Sequence, residues 1–154
     1  MAPNVSTTEN GMHAAVDQLS IDLIVASSKL VRASARLSET QVPPAVWRAL
    51  AILDEYGEMR VGDFAVRDRC SQPTATAMFK RLEGHGLVER VTDPEDRRAV
   101  RIRLSEKGVR RLGELRDGVA NALRDRMESL DGRERQSLRD GVAVVERLLS
   151  DVDE

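Results

Sequence analysis

Between residues 72 and 81 the chain reads Gln-Pro-Thr-Ala-Thr-Ala-Met-Phe-Lys-Arg. Wound at about 100° per residue, Ala75, Met78, Phe79 and Leu82 fall on one side, and Gln72, Thr74, Thr76, Ala77, Lys80 and Arg81 on the other. The second face offers amide, hydroxyl and cationic groups. A further cationic point follows in Asp96-Arg97-Arg98, set in turn chemistry. Such groups donate to base edges and neutralise phosphates. They neither make nor break bonds. No nucleophile with its base and orienter, no phosphate-cradling glycine loop and no carboxylate pair stands out elsewhere, so the sequence does not read as an enzyme. His13 and His85, far apart and with one cysteine between them, do not make a four-ligand zinc set. No metal or cofactor is expected.

Those side chains need elements to hold them. Ser71 suits an N-cap and Pro73 the first turn, which predicts a helix from Gln72 to about Glu83, closed by Gly84 and Gly86. A short helix over about Asp63 to Arg69, carrying Phe64, Ala65 and Val66, precedes it. Met59 to Val61 has the look of a short extended segment. Before these, Pro44 opens a helix to about Tyr56, with Val46, Trp47, Leu50 and Leu53 inward and Gly57 as its stop. After the capped helix the period changes. Leu87–Val91 and the alternating Val100, Ile102 and Leu104 flank Thr92-Asp93-Pro94-Glu95-Asp96, a β-hairpin with one apolar face. Arg101 and Arg103 point to its other face, where phosphate contact and plain solvation are both open. Arg90 and Asp96 are candidates for an internal pair.

Two long helical patterns bracket this centre. Val16, Leu19, Leu23, Ala26, Leu30, Ala33 and Leu37 follow spacings of three and four, a heptad seam. Downstream, Ser105 caps a helix bearing Val109, Leu112, Leu115, Val119, Leu123, Met127 and Leu130, with Gly113 and Gly118 allowing close approach or a bend. Asp131-Gly132 breaks the chain before a last seam of Leu138, Val142, Val145, Leu149 and Val152.

Composition agrees. Of 154 residues, 41% are hydrophobic and only 3% aromatic, which favours Leu/Val/Ala helix packing, and no apolar run reaches a membrane span. The N-terminus lacks a signal-peptide pattern. A soluble, cytoplasmic protein is expected. The net charge of −2 conceals an asymmetry: residues 60–110 hold 12 Lys/Arg against 8 Asp/Glu, and the remainder 12 against 18. The centre is therefore locally positive.

Helix, short helix, capped helix and hairpin, in that order, make a winged helix-turn-helix, whose second helix enters the major groove of double-stranded DNA while the hairpin tip reaches the flanking minor groove or backbone. The expected fold is mainly α with a small β-hairpin wing, an α+β arrangement with a helical dimerisation region. The outer seams exceed what a small domain needs, so a homodimer is expected, with reading helices roughly 34 Å apart on a palindromic operator. The expected division is a disordered tail over 1–12, a dimerisation helix over 13–42, the DNA-binding domain over 43–104 and dimerisation helices over 105–154.

Four fragments in order carry a resemblance: Gln72-Pro73-Thr74-Ala75-Thr76; Arg81-Leu82-Glu83-Gly84-His85-Gly86-Leu87-Val88-Glu89-Arg90; Asp93-Pro94-Glu95-Asp96-Arg97-Arg98; and Leu104-Ser105-Glu106-Lys107-Gly108. Together they resemble the MarR-family transcription regulators. The resemblance implies a triangular dimer built by the first and last two helices, and a recognition helix starting near Ser71. It implies Arg98 in the minor groove braced by Asp96, and Arg97 on a phosphate. It also implies repression relieved by a small, often aromatic, ligand between the dimer and DNA lobes. Ala77 departs from the pattern, where the family often has arginine, and Lys80 stands where an acidic residue is common. The operator sequence therefore cannot be borrowed from relatives.

Two other readings stand beside this one. One is a helical dimerising module that binds protein through its seams and no DNA. The other is a thiol-based redox-sensing repressor using Cys70, whose place before a helix N-terminus would lower its thiol pKa; a passive core cysteine is the plainer role. Trp47 is expected to pack in the core, with the wall of a ligand pocket as the alternative.

Overall fold

The computed structural model describes residues 5–37 and 42–150, with side chains from residue 12 onward. Its elements are α1 (Val5–Leu37), α2 (Pro44–Tyr56), β1 (Met59–Arg60), α3 (Val61–Arg67), α4 (Gln72–Gly84), β2 (Val88–Thr92), β3 (Val100–Leu104), α5 (Glu106–Glu128) and α6 (Gly132–Leu149). They divide into two compact units.

One unit, residues 39–121, holds the helix-turn-helix and the wing. Its core joins Val46, Ala49, Leu50 and Leu53 of α2 to Phe64 of α3, to Ala75, Met78, Phe79 and Leu82 of α4, and to Leu112 and Leu115 of α5. Phe64 and Phe79 meet edge to face at 4.7 Å, fixing the two helices of the motif against each other. Two ion pairs tie α2 to its neighbours: Arg48 to Asp68 and Arg116 to Asp54, each at 2.9 Å. Trp47 lies half-buried against this core, and Val66, by contrast, faces solvent.

The sheet has three strands, in the order β1-β3-β2, all antiparallel. Met59 faces Ile102 across β1 and β3, and Arg90 faces Ile102 across β2 and β3. The two-residue β1 thus gives the hairpin the third strand that a lone hairpin lacks for stability. Ile102 is buried, Leu104 half-buried, and Val100 is exposed where the wing leaves the core.

The ends of the helices follow the sequence closely. Gly57 (φ 75°) closes α2, donating to Leu53 O. After α4, Gly86 (φ 69°) donates to Glu83 O at 2.8 Å and Leu87 to Leu82 O at 2.9 Å, a Schellman turn that needs a left-handed residue. The same pair of bonds ends α3, from Arg69 to Val66 O and Cys70 to Ala65 O, but here the left-handed residue is Arg69 (φ 50°). Asp131 caps α6 in a reciprocal capping box with Glu134.

Three boundaries differ from expectation. The helix α1 begins at Val5, so residues 5–12 are helical rather than a disordered tail; residues 1–4 of that tail lie outside the described residues. The polar start gave no periodic signal. A helix once nucleated by the seam extends at one hydrogen bond per added residue. The compact unit that holds the helix-turn-helix and the wing ends at Asn121 rather than Leu104, because the buried Leu112 and Leu115 belong to its core. The helix α3 lies two residues nearer the chain start than expected, and its end at Arg67 follows from the Schellman turn at Arg69.

The other unit comprises α1 and the chain from Ala122 onward. Its seams are largely uncovered: Val16, Leu19 and Leu30 of α1 and Leu138, Val142 and Leu149 of α6 are exposed, while Leu23 and Val145 are half-buried. Val152 lies outside the described residues. No described helix is long and apolar enough to cross a membrane.

Candidate nucleic-acid interface

The site is built on α4. Ser71 (extended, φ −72°, ψ 147°) caps the helix: its Oγ accepts from the Thr74 amide at 3.3 Å and pairs with Thr74 Oγ1 at 2.7 Å. Ala75, Met78, Phe79 and Leu82 are buried as the periodicity predicts, which turns Gln72, Thr74, Thr76, Ala77, Lys80 and Arg81 to solvent. The hydroxyls of Ser71 and Thr74 are taken up by the cap. That of Thr76 donates to Gln72 O at 2.8 Å. Gln72, Lys80 and Arg81 have no side-chain hydrogen bond or ion pair among the described residues. Arg90 on β2 pairs with Glu83 of α4 at 3.0 Å, not with Asp96, and so locks wing to helix.

The wing is organised by a residue the sequence reading passed over. Asp93 is fully buried. Its Oδ2 accepts from Arg60 Nε at 2.7 Å and Arg101 Nε at 3.0 Å, and its Oδ1 accepts from the amides of Glu95 at 2.9 Å and Asp96 at 3.3 Å. The guanidinium of Arg60, then that of Arg101 and the Glu95 amide, hold the Asp93 carboxyl far below the usual carboxylate range. The bonds to Asp93 in turn raise the pKa of both arginines. One carboxylate thus joins β1, β3 and the turn. Composition cannot reveal this, since Asp93 looks like any turn aspartate; the signal was two arginines on opposite strands that needed an anion between them.

Arg101, expected among the DNA contacts, is engaged by this network: its Nε is bonded to Asp93, with Glu58 3.9 Å away. Arg103 pairs with Glu89 at 2.7 Å. The tip itself is free. Asp96 Oδ1 accepts from the backbone amide of Arg98 at 2.9 Å, so it braces the turn rather than the guanidinium. Arg97 and Arg98 are exposed, with no side-chain partner among the described residues. Arg69 is a second residue missed: exposed and unpaired in the same sense, it stands in the turn between α3 and α4. Its backbone signals it, because a left-handed arginine costs about 1 kcal/mol where glycine would cost little.

Cys70 is half-buried, and burial, followed by the nearby Asp68 carboxylate, pushes its thiol pKa up. The expected lowering is thus reversed. A helix N-terminus was outweighed by desolvation and a neighbouring anion, and a thiol kept protonated is a poor redox sensor. No cluster of three metal-ligating side chains occurs among the described residues.

Comparison with known proteins fits this geometry. The MarR family model matches residues 42–100, the span from α2 to the start of β3. An uncharacterised helix-turn-helix regulator of Bacillus subtilis, YsmB, is 35% identical over 98 residues, which is 64% of this chain and 67% of the relative. The chain belongs to the MarR family. As a MarR-family protein it is a DNA-binding transcriptional regulator of winged helix fold. A MarR-family structure from Bacillus stearothermophilus is 26% identical and superposes with a TM-score of 0.72, over 90% of this chain and 97% of that one. The transcriptional repressor CouR, solved on a 23-mer DNA duplex, is 28% identical with a TM-score of 0.59, over 88% of this chain and 96% of CouR. In MarR terms the fragments Arg81–Arg90 and Leu104–Gly108 acquire physical content. Gly86 is the left-handed cap, Ser105 Oγ donates to Gly86 O at 2.6 Å, and Lys107 Nζ donates to His85 O at 2.8 Å.

Proposed function

We propose that the protein is a homodimeric, cytoplasmic repressor that binds a palindromic operator and is released by a small aromatic ligand. Residues 39–121 bind DNA, and α1, the end of α5 and α6 dimerise. In this reading α4 lies in the major groove with Gln72, Thr76, Ala77, Lys80 and Arg81 towards the base edges, and Ser71 and Thr74 set its N-terminal end. Arg98 enters the minor groove, with Asp96 bracing its turn. Arg97 and Arg69 take phosphates. The observation that carries this reading is the pattern of free cations. Of the arginines in the wing strands, Arg90, Arg101 and Arg103 are paired, whereas the two at the tip are not. An ordinary solvated hairpin has no reason to spare its tip. A duplex bound to CouR, a repressor of this fold, supports the same use of the surface.

Binding should appear with the protein's own upstream intergenic DNA in fluorescence anisotropy, weakening steeply between 50 and 200 mM salt as counterions are released, on the order of a thousandfold for six or more phosphate contacts. Arg98→Ala should lower operator affinity at least tenfold, roughly the 1.4 kcal/mol of one charge-assisted contact. An unchanged affinity with the fold intact would remove the wing from the interface.

The uncovered seams support the dimer. Contiguous apolar surface on this scale is rare on a monomer, and it runs along both α1 and α6. Light scattering at micromolar concentration should return twice the chain mass, and Val142→Arg, which places a charge in the α6 seam, should return the chain mass. A stable wild-type monomer would refute the assembly. Ligand release rests on family membership. Trp47, the single tryptophan, gives it a direct fluorescence readout.

A further inference from the structure

Only one of the most outward positions of α4 is a cation. Taking Ala75, Met78, Phe79 and Leu82 as the buried side, the residues opposite are Pro73, Ala77 and Lys80, with Thr76 beside them. Pro73, Thr76 and Ala77 stand at i, i+3 and i+4, so they are neighbours on the helix surface. Thr76 is exposed, and its hydroxyl hydrogen is committed to Gln72 O at 2.8 Å, so it offers the groove a methyl and an acceptor oxygen but no donor. A proline ring and two methyls therefore form one small apolar patch in the first two turns, where the reading face would otherwise carry hydrogen-bonding side chains. Lys80 and Arg81 follow one turn later.

In the major groove the only apolar group that base pairs present is the C5-methyl of thymine, and alanine and threonine methyls are its partners. We propose that Pro73, Thr76 and Ala77 form a methyl-reading patch that selects thymine in each operator half-site. This rests on the reading that α4 enters the major groove. Where a long side chain at position 77 would reach for a guanine edge, the alanine leaves room for the helix to approach, and it exchanges a hydrogen-bond readout for an apolar one. Specificity in this stretch then comes from the exclusion of cytosine, which has no methyl. Lys80 and Arg81 supply charge one turn further on.

The test uses an operator duplex taken from the region the full-length protein protects in its own upstream DNA. Each thymine is replaced in turn by deoxyuridine, which pairs identically and lacks only the methyl. One or two positions per half-site should lose about fourfold in affinity, the worth of burying one methyl-sized group. Thr76→Ser keeps the hydroxyl and removes the methyl. It should weaken the thymine duplex by a similar factor and be indifferent to deoxyuridine at one of those positions, because the two changes delete the same contact. Wild-type protein indifferent to every replacement would overturn the proposal, as would a Thr76→Ser variant that keeps the full wild-type sensitivity at each position. Absence of any salt-sensitive binding would overturn the DNA reading itself, and this one with it.

Discussion

Asp93→Ala should lower the ratio of operator to non-specific DNA affinity by about tenfold, the loss expected when Arg98, the tip arginine of the minor groove, is no longer held in place. The direction is what makes the result informative. Removing a carboxylate and freeing Arg60 and Arg101 makes the wing more positive, and charge alone would then tighten binding to any duplex. If the role of Asp93 is to hold the tip, operator binding weakens while non-specific binding holds or rises. Asp93→Asn keeps the shape and the acceptor for the Glu95 amide but not the charge, and should fall between. An unchanged ratio would show that Arg97 and Arg98 need no brace.

The same residue predicts an acid limb in stability. The native state holds the Asp93 carboxyl below its ordinary value, so the unfolded chain takes up its proton first as pH falls. The stabilisation is complete above pH ~4 and is lost progressively below it, towards the native pKa. The stability gap between wild type and Asp93→Ala, from urea unfolding followed by circular dichroism, should therefore be widest above pH ~4 and narrow below it.

What the sequence disclosed, and what it hid, divides along a physical line. Periodicity and capping are local. The helix bounds of α2 and α4, the Ser71 cap and the buried stripe Ala75, Met78, Phe79 and Leu82 all follow from residues within a turn or two of each other. The exposed face of α4, which carries the candidate site residues, was legible for the same reason, since burying one stripe exposes the other. Side-chain partners are not local. Arg101 and Arg97 are the same residue type four positions apart, and only the strand pairing that brings Arg60, Asp93 and Arg101 together separates a structural arginine from a free one. Cys70 fails in the same way: its helix N-terminus is visible in sequence, whereas its burial and the Asp68 carboxylate that override it are not. Arg69 was hidden because nothing in an arginine announces a left-handed backbone.

Gly108→Ala should destabilise the protein by about 3 kcal/mol, at the upper end of what overpacking costs. Helix propensity alone predicts the opposite, because Gly108 lies in the first turn of α5 and alanine is favoured over glycine by about 1 kcal/mol in a helix. The difference is the neighbour. A Cβ at Gly108 would be driven into the carbonyl oxygen of Leu87, with Leu87 C and Leu104 Cδ2 also in contact. That carbonyl cannot step aside. It accepts from Ser105 N at 3.1 Å, and the backbone around it is pinned by Ser105 Oγ on Gly86 O and Lys107 Nζ on His85 O. Gly108 N itself bonds Ser105 Oγ at 2.9 Å, so the helix start cannot retreat without giving up its cap. Gly113 is the control on the same helix: a Cβ there meets nothing within 4 Å, and Gly113→Ala should gain up to about 1 kcal/mol. Melting curves should thus move in opposite directions, by about 8 °C down for Gly108→Ala and a few degrees up for Gly113→Ala. A Gly108→Ala protein as stable as the wild type would mean that α5 does not dock as closely on the end of α4 as these bonds require, and the glycine of the Leu104–Gly108 fragment would then have no structural reason.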